Sequence, residues 1–308
     1  MTPIPLIVVL GATASGKTRL ALYLAQALGG ELINADAMAV YRGMEIGVAK
    51  PTPAERALAP HHCLDLCDCS EDCNLQRWFD AADTALKDIY ARQKTPIVVG
   101  GSPLYLKTLL EGLSAGAPRD DALRLALEAE YAAGPEVMLE RLRRIDPVYA
   151  ASRHANDQRR IVRALEVFQL TGLPFSQHHV TDGIRRTDLA PLLIGLQWPQ
   201  EELHRRINSR SRAMFSEGLV EEVRALAPRL SRTARQAVGY KEVLGFLAGE
   251  YDQEKALEMT MRASRMLAKQ QRTWYRRFAD INWLAGEAPD LDIQSLDLCR
   301  QNLSSIAT

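Results

Sequence analysis

Ile4-Pro5-Leu6-Ile7-Val8-Val9-Leu10 runs without a break into Gly11-Ala12-Thr13-Ala14-Ser15-Gly16-Lys17-Thr18, and the reading of this stretch decides the fold. The apolar run predicts a buried strand. The next eight residues match G-x-x-x-x-G-K-[ST] in full and lead into an amphipathic helix over 17–28. Glycines let backbone N–H groups turn inward onto phosphate oxygens, and the start of the helix adds its partial positive charge. Lys17 supplies a mobile cation, and Thr18 supplies a hydroxyl suited to Mg²⁺. A di- or triphosphate held by Gly11 to Thr18 is therefore expected. The motif leaves the reaction open, because kinases, ATPases and other transferases share it.

Outward from this loop, short apolar runs alternate with helical patterns, as in a parallel sheet with crossover helices. Strands are expected at 31–34 and 96–101, and helices at about Gln76 to Arg92 and Ser102 to Leu110. From Ser114 to Gln177 the texture is charged and rich in Ala and Leu, with no strand candidate. Pro118, Gly134-Pro135, Pro147 and Gly172-Leu173-Pro174 punctuate it. One more strand, Pro191 to Gln197, precedes three expected helices. The predicted fold is α/β, a P-loop NTPase-like parallel sheet flanked by helices. Residues 1–113 and 178–308 would form the core and 114–177 a helical insertion.

Lys plus Arg and Asp plus Glu both number 38 in the 308 residues, yet the charge is unevenly spread. Arg262 to Arg277 holds six basic residues and no acidic one; Leu203 to Lys241 holds nine against three. A neutral total can hide a basic face. No apolar run is long enough to span a bilayer, and the start lacks a leader pattern, so a cytoplasmic protein is expected.

Past the second strand comes Asn34-Ala35-Asp36-Ala37-Met38-Ala39-Val40-Tyr41-Arg42-Gly43-Met44. Asp36 stands at the carboxyl end of a strand, where open parallel sheets gather ligands. It can bind Mg²⁺, cap a helix or act as a base. Ser102, after Gly100-Gly101, can reach the same crevice. No strand ends in the acidic residue a motor-type ATPase needs.

These segments resemble the tRNA dimethylallyltransferases, also called tRNA isopentenyltransferases. The resemblance runs from about Ile7 to Trp283. It rests on GATASGKT at 11–18, NADAMAVYRGMEIGVAKP at 34–51, HHCLD at 61–65, VVGGSPLYLKTLLEG at 98–112 and QRRIVRALEVFQLTG at 158–172. RINSRSRAMFSEGLVEEV at 206–223, AVGYKE at 237–242 and RMLAKQQRTWYRRF at 265–278 complete it. The resemblance implies transfer of a dimethylallyl group from its diphosphate to N6 of the adenosine 3′ to a tRNA anticodon, by a monomer using Mg²⁺. It implies that Asp36 is the base, that Thr13 to Thr18 hold the diphosphate with Mg²⁺ on Thr18, and that Ser102 sits near the amine. Lys17 and Arg210 would balance charge on the leaving group, with Arg206 one turn earlier as a substitute.

By the same resemblance, tRNA meets Asp36, Ala37, Met38, Ala39 and Ser102, then Arg124, then Gln158, Arg159, Arg160, Ile161 and Val162, and then Gln236, Gly239, Tyr240 and Lys241. Arg262, Arg265, Lys269, Arg272 and Arg276 recur at steps of three and four and are expected on one helical stripe, read either as an ordinary solvated face or, since no acidic partner lies in the run, as a grip on the phosphates of an anticodon stem-loop. Ala263, Leu267, Trp274 and Phe278 are the expected buried stripe opposite, and Arg159 and Arg163 are expected to be free. The chain departs from the family pattern at Ala37 for serine, Ala39 for glutamine, Val48 and Ser102 for threonine, and Pro103 for glycine or methionine. These changes remove side-chain contacts near the target base but keep a hydroxyl at 102.

Cys63, Cys67, Cys69 and Cys73, beside His61 and His62, offer soft ligands in a spacing unlike any familiar zinc site. Small apolar packing in a reducing compartment is the other reading. Two rival functions remain: prenylation of free adenylate, which needs neither insertion nor basic stripe, and a small-molecule kinase that uses the loop for ATP.

Overall fold

The computed structural model describes residues 3–113, 120–179 and 186–307. The expected insertion start at Ser114 and the break at Pro118 lie outside them. The chain divides into two units, one of residues 1–110 with 186–308 and one of residues 111–185.

In the larger unit, β1 (Ile4–Gly11), α1 (Lys17–Leu28) and β2 (Glu31–Asn34) are followed by β3 (Tyr41–Arg42), α2 (Pro53–Leu58), β4 (His61–His62) and β5 (Cys67–Asp68). Then come α3 (Leu75–Ala91), β6 (Pro96–Gly100) and α4 (Pro103–Glu111). The smaller unit holds α5 (Asp121–Ala133), α6 (Pro135–Ile145), α7 (Pro147–Ala150) and α8 (Gln158–Thr171). The larger unit resumes with β7 (Leu189–Gln197), α9 (Gln200–Ser216), α10 (Leu219–Leu226), α11 (Tyr240–Leu247), α12 (Gln253–Tyr275), β8 (Ile281–Ala285) and α13 (Leu291–Ala307).

Six strands form one sheet in the order β4-β2-β6-β1-β7-β8. Every pairing is parallel, with Ile7 opposite both Ile97 and Leu192. β1 is central and apolar on both faces, as a strand covered on both sides must be. Leu6, Val8 and Leu10 join Trp78, Leu86 and Leu106 on one face; Ile7 and Val9 join Leu20, Leu24 and Leu291 on the other. Each such side chain contributes about 1.5–3 kcal/mol by leaving water. The layering opens the carboxyl ends of β1, β2 and β6 at one edge, and the site is built there.

Among the described residues, four strands go beyond the expectation: β3 and β5, which pair with each other in a separate two-stranded sheet, and β4 and β8 in the main one. β4 has only two residues and pairs with Leu32 and Ile33; β8 is half-exposed and pairs with β7 from Leu193 to Gln197. Neither carries a period that propensity can detect. Five helices, not three, follow β7, because Gly218 (φ 105°) and Gly239 (φ 93°) take left-handed conformations that break the pattern.

The cysteines pack rather than cluster around a metal. Cys67 and Cys73 form a disulfide, which the reading as reduced thiols did not include. Cys63 and Cys69 are free and buried, and burial pushes the Cys63 thiol up to about 12. Among the described residues no three His, Cys, Asp or Glu side chains are placed to hold a metal ion. No described helix is long and apolar enough to cross a membrane.

Candidate active site

The loop between β1 and α1 is held open from outside. Gly16 takes φ 92° as the helix cap, and Ala14 takes φ 62°, a conformation few side chains adopt. Gly11 has no room for a Cβ, which would sit 2.8 Å from Ser15 Oγ and 3.0 Å from the Leu196 carbonyl. Side chains from distant elements take up the loop's carbonyls. Tyr275 donates to Gly11 O at 3.2 Å, Arg206 Nε to Ala14 O at 2.9 Å, and Trp198 Nε1 to Ser15 O at 2.9 Å. Arg206 also lies 4.1 Å over the Trp198 ring. Two of the loop amides are taken as well, Thr13 N–H by Gln271 Oε1 at 2.8 Å and Ser15 N–H by Ala12 O at 3.2 Å, and the remaining ones at the start of α1 are left for an anion.

Lys17 Nζ donates to Ala12 O at 2.8 Å, and Arg210 donates to Thr13 Oγ1 at 3.3 Å. Burial, reinforced by the Arg210 charge and opposed by Asp36, lowers Lys17 to about 8. Burial likewise pulls Arg210 down, with Asp36 acting against it. A lysine so lowered, with a guanidinium buried beside it, marks a site suited to an anionic ligand.

Asp36 follows β2. Its Oδ1 accepts the N–H of Met38 at 2.9 Å and of Ala39 at 3.4 Å, an Asx-type turn. No helix starts here, so Asp36 caps a turn rather than the expected helix, and its Oδ2 takes no part in those bonds. Ser102 is brought alongside by its own N–H, which donates to Ala35 O at 3.1 Å. The approach requires Gly100, whose Cβ would stand 2.2 Å from that same carbonyl.

Beside a groove of about 1410 Å³ lined by Gly16, Lys17, Thr18, Arg206 and Arg210, two smaller cavities meet at Asp36. One of about 100 Å³ is lined by Thr13, Lys17, Thr18, Asn34, Asp36, Ala39 and Arg210. The other, about 350 Å³, shares Thr13, Asp36, Val48, Gly101, Arg210, Leu267 and Gln271 with it. It adds Ala37, Met38, Ser102, Ile207, Met214, Gln236 and Trp274. An ionic, donor-rich chamber therefore adjoins a mostly apolar one, with Asp36 at their junction.

On α12 the residues Arg262, Lys269 and Arg272 are exposed, as is Arg276 just past its end, whereas Arg265 is half-buried and donates to Asn208 Oδ1 at 2.7 Å. The buried stripe is not the expected one. Ala263, Leu267, Trp274 and Phe278 are only partly buried; Thr260, Met261, Ala268, Gln271 and Tyr275 are the deeply buried residues. Polar Gln271 and Tyr275 take that face because the loop behind them supplies hydrogen-bond partners. Gly239 N–H donates to Glu242 at 2.8 Å, and Lys241 is exposed. Tyr240, expected on a tRNA-facing surface, is fully buried and donates to Glu222 Oε1 at 2.6 Å. Glu222 also accepts the N–H groups of Glu45, Ile46 and Gly47 at 3.0, 2.8 and 3.0 Å, which fixes the chain leading to Val48.

In the smaller unit, Ile161 and Val162 are core residues, so their side chains offer no surface. Arg163, expected free, bonds the fully buried Glu166 at 2.8 Å, and Arg124 bonds the same carboxylate at 2.6 Å. Arg160 pairs with Asp157 at 3.0 Å, Gln158 is half-buried and Arg159 is exposed.

Gln271, Tyr275, Trp198 and Glu222 were missed in the sequence. A buried polar residue within the α12 pattern was the one available signal.

The IPP transferase family model matches residues 39–278. A tRNA dimethylallyltransferase of Anaeromyxobacter dehalogenans is 45% identical over 294 residues, covering 94% of this chain and 97% of that protein. The crystal structure of the full-length tRNA isopentenylpyrophosphate transferase from Bacillus halodurans aligns with a TM-score of 0.73 at 34% identity over 98% of each chain. A eukaryotic dimethylallyltransferase, caught in crystallographic snapshots acting on tRNA, aligns with a TM-score of 0.84 at 28% identity over 98% of this chain and 80% of that one.

Proposed function

The chain belongs to the IPP transferase family, and on that premise we propose that it transfers a dimethylallyl group from dimethylallyl diphosphate to N6 of the adenosine 3′-adjacent to the tRNA anticodon. The observation that carries the reading is the junction of the two cavities at Asp36. A diphosphate belongs with the loop amides, Lys17 and Arg210. The five-carbon group and the adenine belong in the larger, more apolar chamber.

In this reading N6 attacks the prenyl carbon bonded to diphosphate, the C–N bond forms, and the C–O bond breaks with its electron pair leaving on the diphosphate. Asp36 takes the N6 proton, which a weakly nucleophilic exocyclic amine must lose. Ser102 orients the amine. Lys17 and Arg210 meet the charge that grows on the leaving oxygen. Thr18 offers a hard oxygen donor in the phosphate chamber without a carboxylate cage, a donor set suited to Mg²⁺ shared with phosphate oxygens and water. When bound, Mg²⁺ would neutralise diphosphate charge.

The adenosine must leave its stack to reach Asp36. The exposed cations of α12 and the smaller unit around Arg159 hold the anticodon stem-loop through phosphates. The protein acts as a cytoplasmic monomer.

The test is incubation of the purified chain, and of Asp36→Ala, with dimethylallyl diphosphate, Mg²⁺ and unmodified tRNA, followed by nucleoside mass analysis. One five-carbon unit on adenosine with the wild type, largely absent with the variant, is expected. Prenylation of free AMP alone, or phosphoryl transfer from ATP, replaces this reading with a rival.

A further inference from the structure

Gln271 is a deeply buried amide on the inner face of the helix whose outer face carries Arg262, Lys269 and Arg272. Its Oε1 accepts the Thr13 N–H at 2.8 Å, and its Nε2 donates to the Gly101 carbonyl at 2.7 Å. One side chain therefore joins the phosphate loop after β1 to the turn after β6. Those loops leave adjacent strands, with Leu10 opposite Gly100, and nothing in the sheet itself sets their separation beyond the last ladder pair.

Each joined residue leads straight to the chemistry. Thr13 receives Arg210 on its hydroxyl. Gly101 precedes Ser102, whose N–H is tied to Ala35, the neighbour of Asp36. The diphosphate side and the amine side of the site are thus linked through Gln271. The fit is close, since a Cβ on Gly101 would stand 2.6 Å from Nε2. The bridge needs an acceptor and a donor on one planar group, which a side-chain amide supplies at any pH. An ionised glutamate would keep the acceptor but turn an oxygen onto the Gly101 carbonyl. Methionine would keep the volume and lose both bonds.

We propose that Gln271 is a positioning residue that fixes the distance between the prenyl carbon, held through its diphosphate, and the attacking amine, held beside Ser102. This rests on the transferase reading above. Gln271 acts through Thr13 and Gly101, so its removal leaves the individual binding groups in place and disturbs their spacing. A misplacement of about 1 Å between reacting groups is enough to cost about 10²-fold in rate.

The experiment compares wild type, Gln271→Met and Gln271→Glu in single-turnover prenylation of tRNA, with rates taken per correctly folded molecule by circular dichroism and active-site titration. A non-reactive thiodiphosphate analogue of the donor measures binding separately. The expected result is a loss of about 10- to 100-fold in the single-turnover rate for both variants, with analogue and tRNA affinities within about threefold of wild type. Combining Gln271→Met with Ser102→Ala should cost less than the product of the separate losses, because both disturb one spacing.

A rate within about twofold of wild type in either folded variant overturns the proposal. So does a loss carried wholly by analogue affinity, which would make Gln271 a binding residue. If wild type itself leaves tRNA unmodified, the transferase reading fails and this role falls with it. If wild type prenylates and the variants match it, only the role of Gln271 falls.

Discussion

Replacing Lys17 by methionine should make the ligand-free protein more stable at neutral pH while abolishing diphosphate binding. The Lys17 ammonium is enclosed beside Arg210 and donates to Ala12 O at 2.8 Å. Burial first, and Arg210 second, take its pKa from 10.5 to about 8. That drop corresponds to about 3 kcal/mol against the charged folded state. Methionine removes this penalty and loses one hydrogen bond worth about 1 kcal/mol, so a net gain of about 2 kcal/mol is expected. The sign with pH follows from linkage. Between about 8 and 10.5 the unfolded chain binds more protons than the folded one, so wild-type stability rises with pH through that window. The advantage of Lys17→Met is therefore full below pH 8 and fades toward pH 10.5. Scanning calorimetry of both proteins without ligand at neutral and alkaline pH reads it directly. A companion titration with diphosphate at pH 8, in buffers of differing ionisation heat, should show uptake of about half a proton, because the bound anion keeps Lys17 charged. A variant less stable than wild type at neutral pH, or a stability gap that does not shrink as pH rises, would refute the reasoning.

Asp36→Asn keeps an acceptor for the Met38 N–H and should lower the single-turnover rate by about 10²–10⁴-fold without weakening the donor analogue; an unchanged rate would remove Asp36 as the base. Lys269→Ala with Arg272→Ala should weaken tRNA binding and reduce the slope of log affinity against log salt by about 1–2, with the rate at saturating tRNA preserved. An unaltered slope would return these exposed cations to an ordinary solvated face. Glu166→Gln should destabilise the smaller unit by about 3–5 kcal/mol at neutral pH, read by hydrogen exchange of α5 and α8. Burial raises the Glu166 pKa, but bonds from Arg163, Arg124 and the Asp120 N–H more than reverse this. The difference between wild type and variant should thus persist above the ordinary carboxylate range and vanish as pH falls through the lowered pKa.

Much of the site was legible because its parts are local. Asp36 and Ser102 stand at strand ends, which period and glycine turns mark directly. The proposed nucleic-acid surface was legible only as composition. Arg262, Lys269, Arg272 and Arg276 are exposed, but Arg265 turns in to Asn208, and Arg124 and Arg163 are bound to Glu166. Charge spacing along a helix cannot say which cations meet a carboxylate brought from elsewhere. Tyr240 makes the same point, since a polar tip in a surface-like motif is buried against Glu222.

What the sequence by itself determined is the phosphate cradle. Strand, glycine loop and helix N-terminus follow one another within Ile4 to Thr18, an order that answers to dihedral limits and the helix dipole. What only the tertiary structure decided is what holds that cradle against the rest of the site. Arg210 and Gln271 reach Thr13 from 197 and 258 residues away. A loop amide or carbonyl accepts any partner that packing delivers, so no pattern along the chain announces which side chain that is.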